Sequence, residues 1–174
     1  MHRCVVGDVT PSGTIRDAES ERDRLDLLYR DERLGMVRLA FLLTGSNETA
    51  NDLVHDAFIK VTPKLHSVAQ PGAYLRAAVV NECRMWLRRS ATEARSNERT
   101  GIRNDAVISP EIDETLAAVR ALPARRAVAL VLRYYADLPD QEIAEILGCR
   151  PSTVRSHIHR GLQELREVLS DALL

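Results

Sequence analysis

The chain has 174 residues, with 24 Lys and Arg against 25 Asp and Glu, for a net charge of −1. That length suits one large or two small domains, and near-neutrality excludes a polycation, so any nucleic-acid surface must be local. Hydrophobic residues make up 45% but aromatics only 4%, so Leu, Val, Ile and Ala must fill the core, a mixture that favours helices.

Residues 1–19 hold Gly7, Pro11 and Gly13 without apolar periodicity and read as a flexible N-terminal tail. The stretch "MHRCVVGDVT" has no apolar segment of the kind a signal peptide needs. From Ser20 to Leu43, apolar residues recur at helical spacing: Leu25 and Leu28, then Val37, Ala40 and Phe41. Gly45 stops this helix, and Ser46 is placed to cap the next. "ETANDLVHDAFIKV" sets Leu53, Val54, Ala57, Phe58 and Val61 on one face and leaves Asp52, His55, Asp56 and Ile59 outward. Pro63 ends or bends that helix, and "HSVAQPG" reads as a loop with Pro71 suited to a first helical turn. A third helix follows from Ala73 to Arg89, with Arg76, Arg84, Arg88 and Arg89 as its basic residues. Trp86, beside Val79 and Met85 at helical spacing, fits the core.

Residues 90–109 are polar, aperiodic and rich in Ser, Thr and Asn, which marks a linker. Twenty residues span at most roughly 70 Å. Residues 110–174 form a second helical group, whose elements open at or near Pro110, Pro123, Pro139 and Pro151. The expected fold class is therefore all-α, with two small helical domains, residues 20–89 and 110–174, joined by a flexible linker. No run suits a membrane span, the longest apolar stretch being Ala127 to Leu132. Cys4, Cys83 and Cys149 lie far apart, without metal-ligand spacing, and suit reduced thiols in a cytoplasmic protein. No cofactor and no enzymatic constellation is expected.

The most informative stretch is "IAEILGCRPSTVRSHIHRGL", residues 143–162. Ile143, Ala144 and Leu147 make the inner face of a short helix, and Gly148 supplies a left-handed corner. Val154, Ile158, Leu162 and Leu165 make the inner face of the next helix. Its outer face carries Ser152, Arg155, Ser156, His159 and Arg160, with Arg150 just before it. Residues 150–160 hold three Arg, two His and no acid, whereas Asp140, Glu142 and Glu145 lie on the preceding helix. A solvated helical hairpin and a helix-turn-helix reading a major groove both fit the spacing, and the segregated charge favours the second.

"LPARRAVALVLRYYADLPDQEIAEILGCRPSTVRSHIHRGLQEL" resembles region 4 of the extracytoplasmic-function (group IV) sigma factors of the sigma-70 family. "LLTG", "NDLVHDAF" and "AYLRAAVVNECRMWLRR" resemble region 2 of the same family, in the order that family has them. The resemblance implies a promoter-specificity subunit that joins core RNA polymerase and binds promoter DNA, held in check by an anti-sigma factor. It implies that Asp52, His55 and Asp56 dock on core polymerase, with His55 and Asp56 standing where the family has Gln and Glu. It implies that Arg76, Asn81, Arg84, Arg88 and Arg89 serve the −10 element, beside a base-capturing loop in "LHSVAQPGAY". Arg150, Ser152, Arg155, Ser156, His159 and Arg160 would serve the −35 element. The rival reading is a one-component helix-turn-helix regulator that binds DNA without polymerase, and the region 2 pattern counts against it.

Overall fold

The structure, a computed structural model, describes residues 12–97 and 110–171. Cys4 and residues 98–109 of the expected linker lie outside the described residues. Among the described residues there are seven α-helices, one 3-10 turn and no strand.

The first group is a three-helix bundle. Helix α1 (Ser12–Thr44) buries Met36, Leu39, Ala40 and Leu43, one face at i, i+3, i+4 and i+7. Helix α2 (Asn47–Val61) starts at Ser46, whose Oγ accepts a hydrogen bond from the Thr49 N–H at 3.2 Å. That cap contributes about 1 kcal/mol, and Glu48 in the first turn suits the positive end of the helix. Ala50, Val54, Ala57, Phe58 and Val61 are buried on α2. The larger of these side chains each contribute about 1.5–3 kcal/mol by leaving water. A 3-10 turn (Thr62–Ser67) containing Pro63 leads to α3 (Pro71–Asn97), which buries Leu75, Val79, Val80 and Cys83. The Cys83 thiol is pushed up to about 12 by burial and then by Glu82, so it stays protonated.

The second group comprises α4 (Pro110–Ala121), α5 (Ala124–Tyr134), α6 (Asp140–Leu147) and α7 (Pro151–Asp171). Helix α5 is the hub. Ala127 through Leu132 are all buried, so the helix is covered around its circumference rather than along one stripe. The covering comes from α4, α6 and α7 on its own side, and from α1 and α3 of the first group. Tyr135 closes its C-terminus, with the N–H bonded to the Val131 carbonyl, and Asp137 takes a φ of 49° in the following turn.

Two expected boundaries move. Helix α3 continues to Asn97, eight residues beyond Arg89, so residues 90–97 of the expected linker are helical. Helix α1 begins at Ser12, inside the stretch read as a tail. Both additions are polar, and polar helical turns lack the apolar stripe by which a helix is recognised in sequence.

Candidate nucleic-acid interface

The corner between α6 and α7 is built from backbone chemistry. Gly148 has φ 62° and ψ 46°, the left-handed conformation in which a side chain is strained. Its N–H reaches the Ala144 and Glu145 carbonyls, and the Cys149 N–H bonds to Ala144 O at 3.0 Å, so the last carbonyls of α6 are satisfied. No side chain caps α6 at Pro139. At the other side, the Arg150 carbonyl accepts from Thr153 and Val154 at 2.9 and 3.2 Å, and Pro151 fills the first position of α7. The helix therefore starts normally without a hydroxyl cap.

Ile143, Ala144, Leu147 and Val154 are buried at the crossing of α6 and α7. Ile158, Leu162 and Leu165 continue the inner face and pack against the core. Arg150, Ser152, Arg155, Ser156, His159 and Arg160 are all exposed. On a helix of 3.6 residues per turn, the five from Ser152 to Arg160 share one outer arc. Arg126 of α5 forms an ion pair with Glu164 and ties α7 to the hub from behind. Arg155 Nη1 lies 3.7 Å from Asp140 Oδ2 across the corner. Periodicity within one helix does not report this pair, because its two residues stand on different helices.

On α3, Asn81, Arg84 and Arg88 fall at i, i+3 and i+7 and share a face, while Arg76 and Arg89 sit on its two flanks. Arg84 Nη1 donates to Asn81 Oδ1 at 3.2 Å. Arg84 is half-buried and its pKa is lowered by burial, then by Arg125 and Arg88. Arg84 thus lies within electrostatic reach of Arg125 on α5, while Asn81, Arg88 and Arg89 remain exposed. Trp86 is half-buried and lines a cavity of about 720 Å3, together with Leu43, Leu87, Arg88 and Arg120. This cavity lies where α1 and α3 meet the start of the second group.

Asp52, His55 and Asp56 form an exposed strip on α2, and Ile59 extends it with 58% of its surface exposed. Asn51 is held internally: its Oδ1 accepts from Arg33 at 2.7 Å and its Nδ2 donates to the Asn47 carbonyl at 2.7 Å. Lys60 pairs with Glu82 of α3 at 2.6 Å. Asp52, His55 and Asp56 are therefore free polar groups of this face, together with Glu48 one turn earlier. Ile59 is the addition, and its outward register was readable.

Among the described residues, no His, Cys, Asp and Glu cluster could hold a metal ion, and no helix is long and apolar enough to cross a membrane.

Comparison with known proteins locates both groups. Residues 28–93 match the family model for sigma-70 region 2, and residues 112–165 match that for sigma-70 region 4. The chain is 29% identical to the ECF RNA polymerase sigma factor SigE of Mycolicibacterium smegmatis, over 92% of this chain and 68% of that protein. It is 31% identical to the RNA polymerase sigma factor YlaC of Bacillus subtilis, over 84% of this chain and 92% of that one. Its fold is similar to that of the sigma factor RpoE of Bartonella quintana, solved in complex with the anti-sigma factor NepR. The TM-score is 0.68 and the identity 22%, covering 87% of this chain and 98% of that chain.

Proposed function

The chain belongs to the sigma-70 family as an extracytoplasmic-function sigma factor, and from this we infer how its surfaces divide the work of promoter-directed transcription. It is an RNA polymerase sigma factor, which directs core polymerase to promoters. The observation that carries the reading is the presence of both family regions in order, the first with an exposed polar face on α2 and the second with one on α7. On this reading Asp52, His55 and Asp56 dock on core polymerase, and Ile59 adds apolar area at their edge. Asn81, Arg84, Arg88 and Arg89, with Arg76 on the flank, serve the −10 element. Arg150, Ser152, Arg155, Ser156, His159 and Arg160 serve the −35 element. Residues on the outer arc of α7 reach base edges, whereas Arg88 and Arg89 bind phosphate and position the strand.

The chain needs no chemistry of its own in this role, since bond formation belongs to the polymerase. It acts in the cytoplasm, where promoter DNA and polymerase are found. An anti-sigma factor is the inhibitory partner that the likeness to the Bartonella quintana protein suggests. A one-component regulator would have no use for a region 2 domain.

The test is transcription in vitro. Core polymerase alone, the chain alone and the two together are incubated with promoter libraries, and start sites are mapped. Specific starts are expected only with both. Nanomolar, sequence-specific binding by the chain alone, unaltered by core polymerase, would overturn the assignment.

A further inference from the structure

The ion pair across the α6–α7 corner is asymmetric. Asp140 is a short side chain in the first turn of α6, 26% exposed, whereas Arg155 is long and 68% exposed. The positive end of α6 favours a carboxylate at that place. Asp140 has little rotamer freedom to lose, but an exposed Arg has a great deal. The carboxylate is thus the fixed partner and the guanidinium the one held. The frame around them is rigid: Gly148 sets the corner, and Ile143, Ala144, Leu147 and Val154 lock the two helices.

An exposed pair of this kind contributes little to stability. It also places a negative charge beside a face otherwise made of Arg150, Arg155, His159 and Arg160, which weakens attraction to phosphate. Its value lies in orientation. A guanidinium has five N–H donors in a planar fork, so one edge can face Asp140 while the other meets the O6 and N7 acceptors of a guanine. Holding Arg155 before DNA arrives lowers the ordering cost of that contact.

We propose that Asp140 is a positioning residue for recognition of the −35 element: it holds Arg155 across the helix-turn-helix corner and so sharpens the preference for one base pair. The inference rests on the reading of α7 as the recognition helix.

Promoters randomised in the upstream element are transcribed by core polymerase carrying the native chain, Asp140→Asn, Asp140→Glu, Arg155→Ala, or Asp140→Asn with Arg155→Ala. Transcripts are counted by sequence, and the melting temperature of each chain is recorded. Asp140→Asn is expected to reduce preference by about two- to fivefold, at the same base pair that Arg155→Ala flattens. Output summed over all sequences should hold steady or rise, since a charge that repels phosphate is gone. Asp140→Glu should keep part of the preference, and the double variant should match Arg155→Ala. An unchanged profile for Asp140→Asn, a loss spread evenly over the element, or a further loss in the double variant would each overturn the proposal. Failure of the underlying reading looks different: the native chain itself would show no preference in the upstream element.

Discussion

His157 belongs neither to the core face of α7 nor to its outer arc. It is half-buried, and burial lowers its pKa, with Arg125, Arg126 and Arg160 lowering it further. The imidazole is therefore neutral at neutral pH and offers phosphate no charge, unlike Arg155 and Arg160. An unfolded chain would take up this proton near the ordinary value of 6.5, which the native chain resists. Stability is thus intact above that value and declines as pH falls below it toward the lowered native value. Thermal melts of the native chain between pH 7 and pH 5 should show this decline, and His157→Gln should make it shallower. An equal slope in both would place the proton uptake elsewhere. Arg155 makes the complementary prediction. A bidentate Arg–guanine contact is worth roughly 1–3 kcal/mol of discrimination, so Arg155→Ala should relax the −35 preference at one or two base pairs. Arg88→Ala or Arg89→Ala should lower output from all promoters about equally, and should reduce the salt slope by about 0.7–0.9 per lost phosphate contact. A uniform fall in output with Arg155→Ala, the preferred sequence unchanged, would make it a backbone contact.

The elements differ in how much of them could be read from sequence. Helix α2 was legible because its apolar residues form one stripe and Ser46 marks its start; only Leu53, expected inward, is left half-buried. The helix-turn-helix was legible because Gly148 and the inner faces leave no other register. Helix α1 was less so. Of Leu25, Leu28, Val37, Ala40 and Phe41, read as its face, Ala40 is buried and the others are half-buried, and the buried stripe is Met36, Leu39, Ala40 and Leu43. So many apolar residues stand on α1 that several stripes fit, and packing against α2 and α3 selects one. The ion pair of Asp140 with Arg155 and the electrostatic influence of Arg125 on Arg84 link separate helices, which periodicity within one helix does not report. The same holds for Gly161. A side chain there would come within 2.9 Å of Leu130 Cδ1, so this glycine lets α7 cross close over α5. Leu130 is buried, but it borders a cavity of about 320 Å3 into which its side chain can shift. Gly161→Ala, which gains about 1 kcal/mol of helix propensity, should be close to neutral, whereas the bulkier Gly161→Leu should cost about 1–3 kcal/mol by overpacking, read as a lower denaturation midpoint. Gly161→Leu should also tilt the recognition helix, impairing −35 preference more than binding to core polymerase.

At the scale of the whole molecule, the two regions are packed together: α5 contacts α1 and α3, and Arg84 lies within electrostatic reach of Arg125. Promoter elements two duplex turns apart are separated by roughly 68 Å, so engagement of both requires the regions to part. Separability has a direct test, in which trypsin cleaves at Arg99 or Arg103 and leaves two fragments that each melt cooperatively. Fragments that unfold on release would make the regions interdependent. The end of α3 then acquires a second meaning. With α3 helical to Asn97, twelve residues, 98–109, join it to α4, and they reach at most about 43 Å. Residues 90–97 add about 12 Å as helix, but about 28 Å if extended. The difference, about 16 Å, corresponds to nearly five base pairs at about 3.4 Å per step. The last two turns of α3 are therefore expected to limit how long a spacer the holoenzyme tolerates. Ala91→Pro, which removes a helical hydrogen bond at an exposed position, should let those turns unwind and lengthen that reach. Promoters with one to three extra base pairs between their elements should then gain output relative to the native chain, while those at the preferred spacing hold theirs.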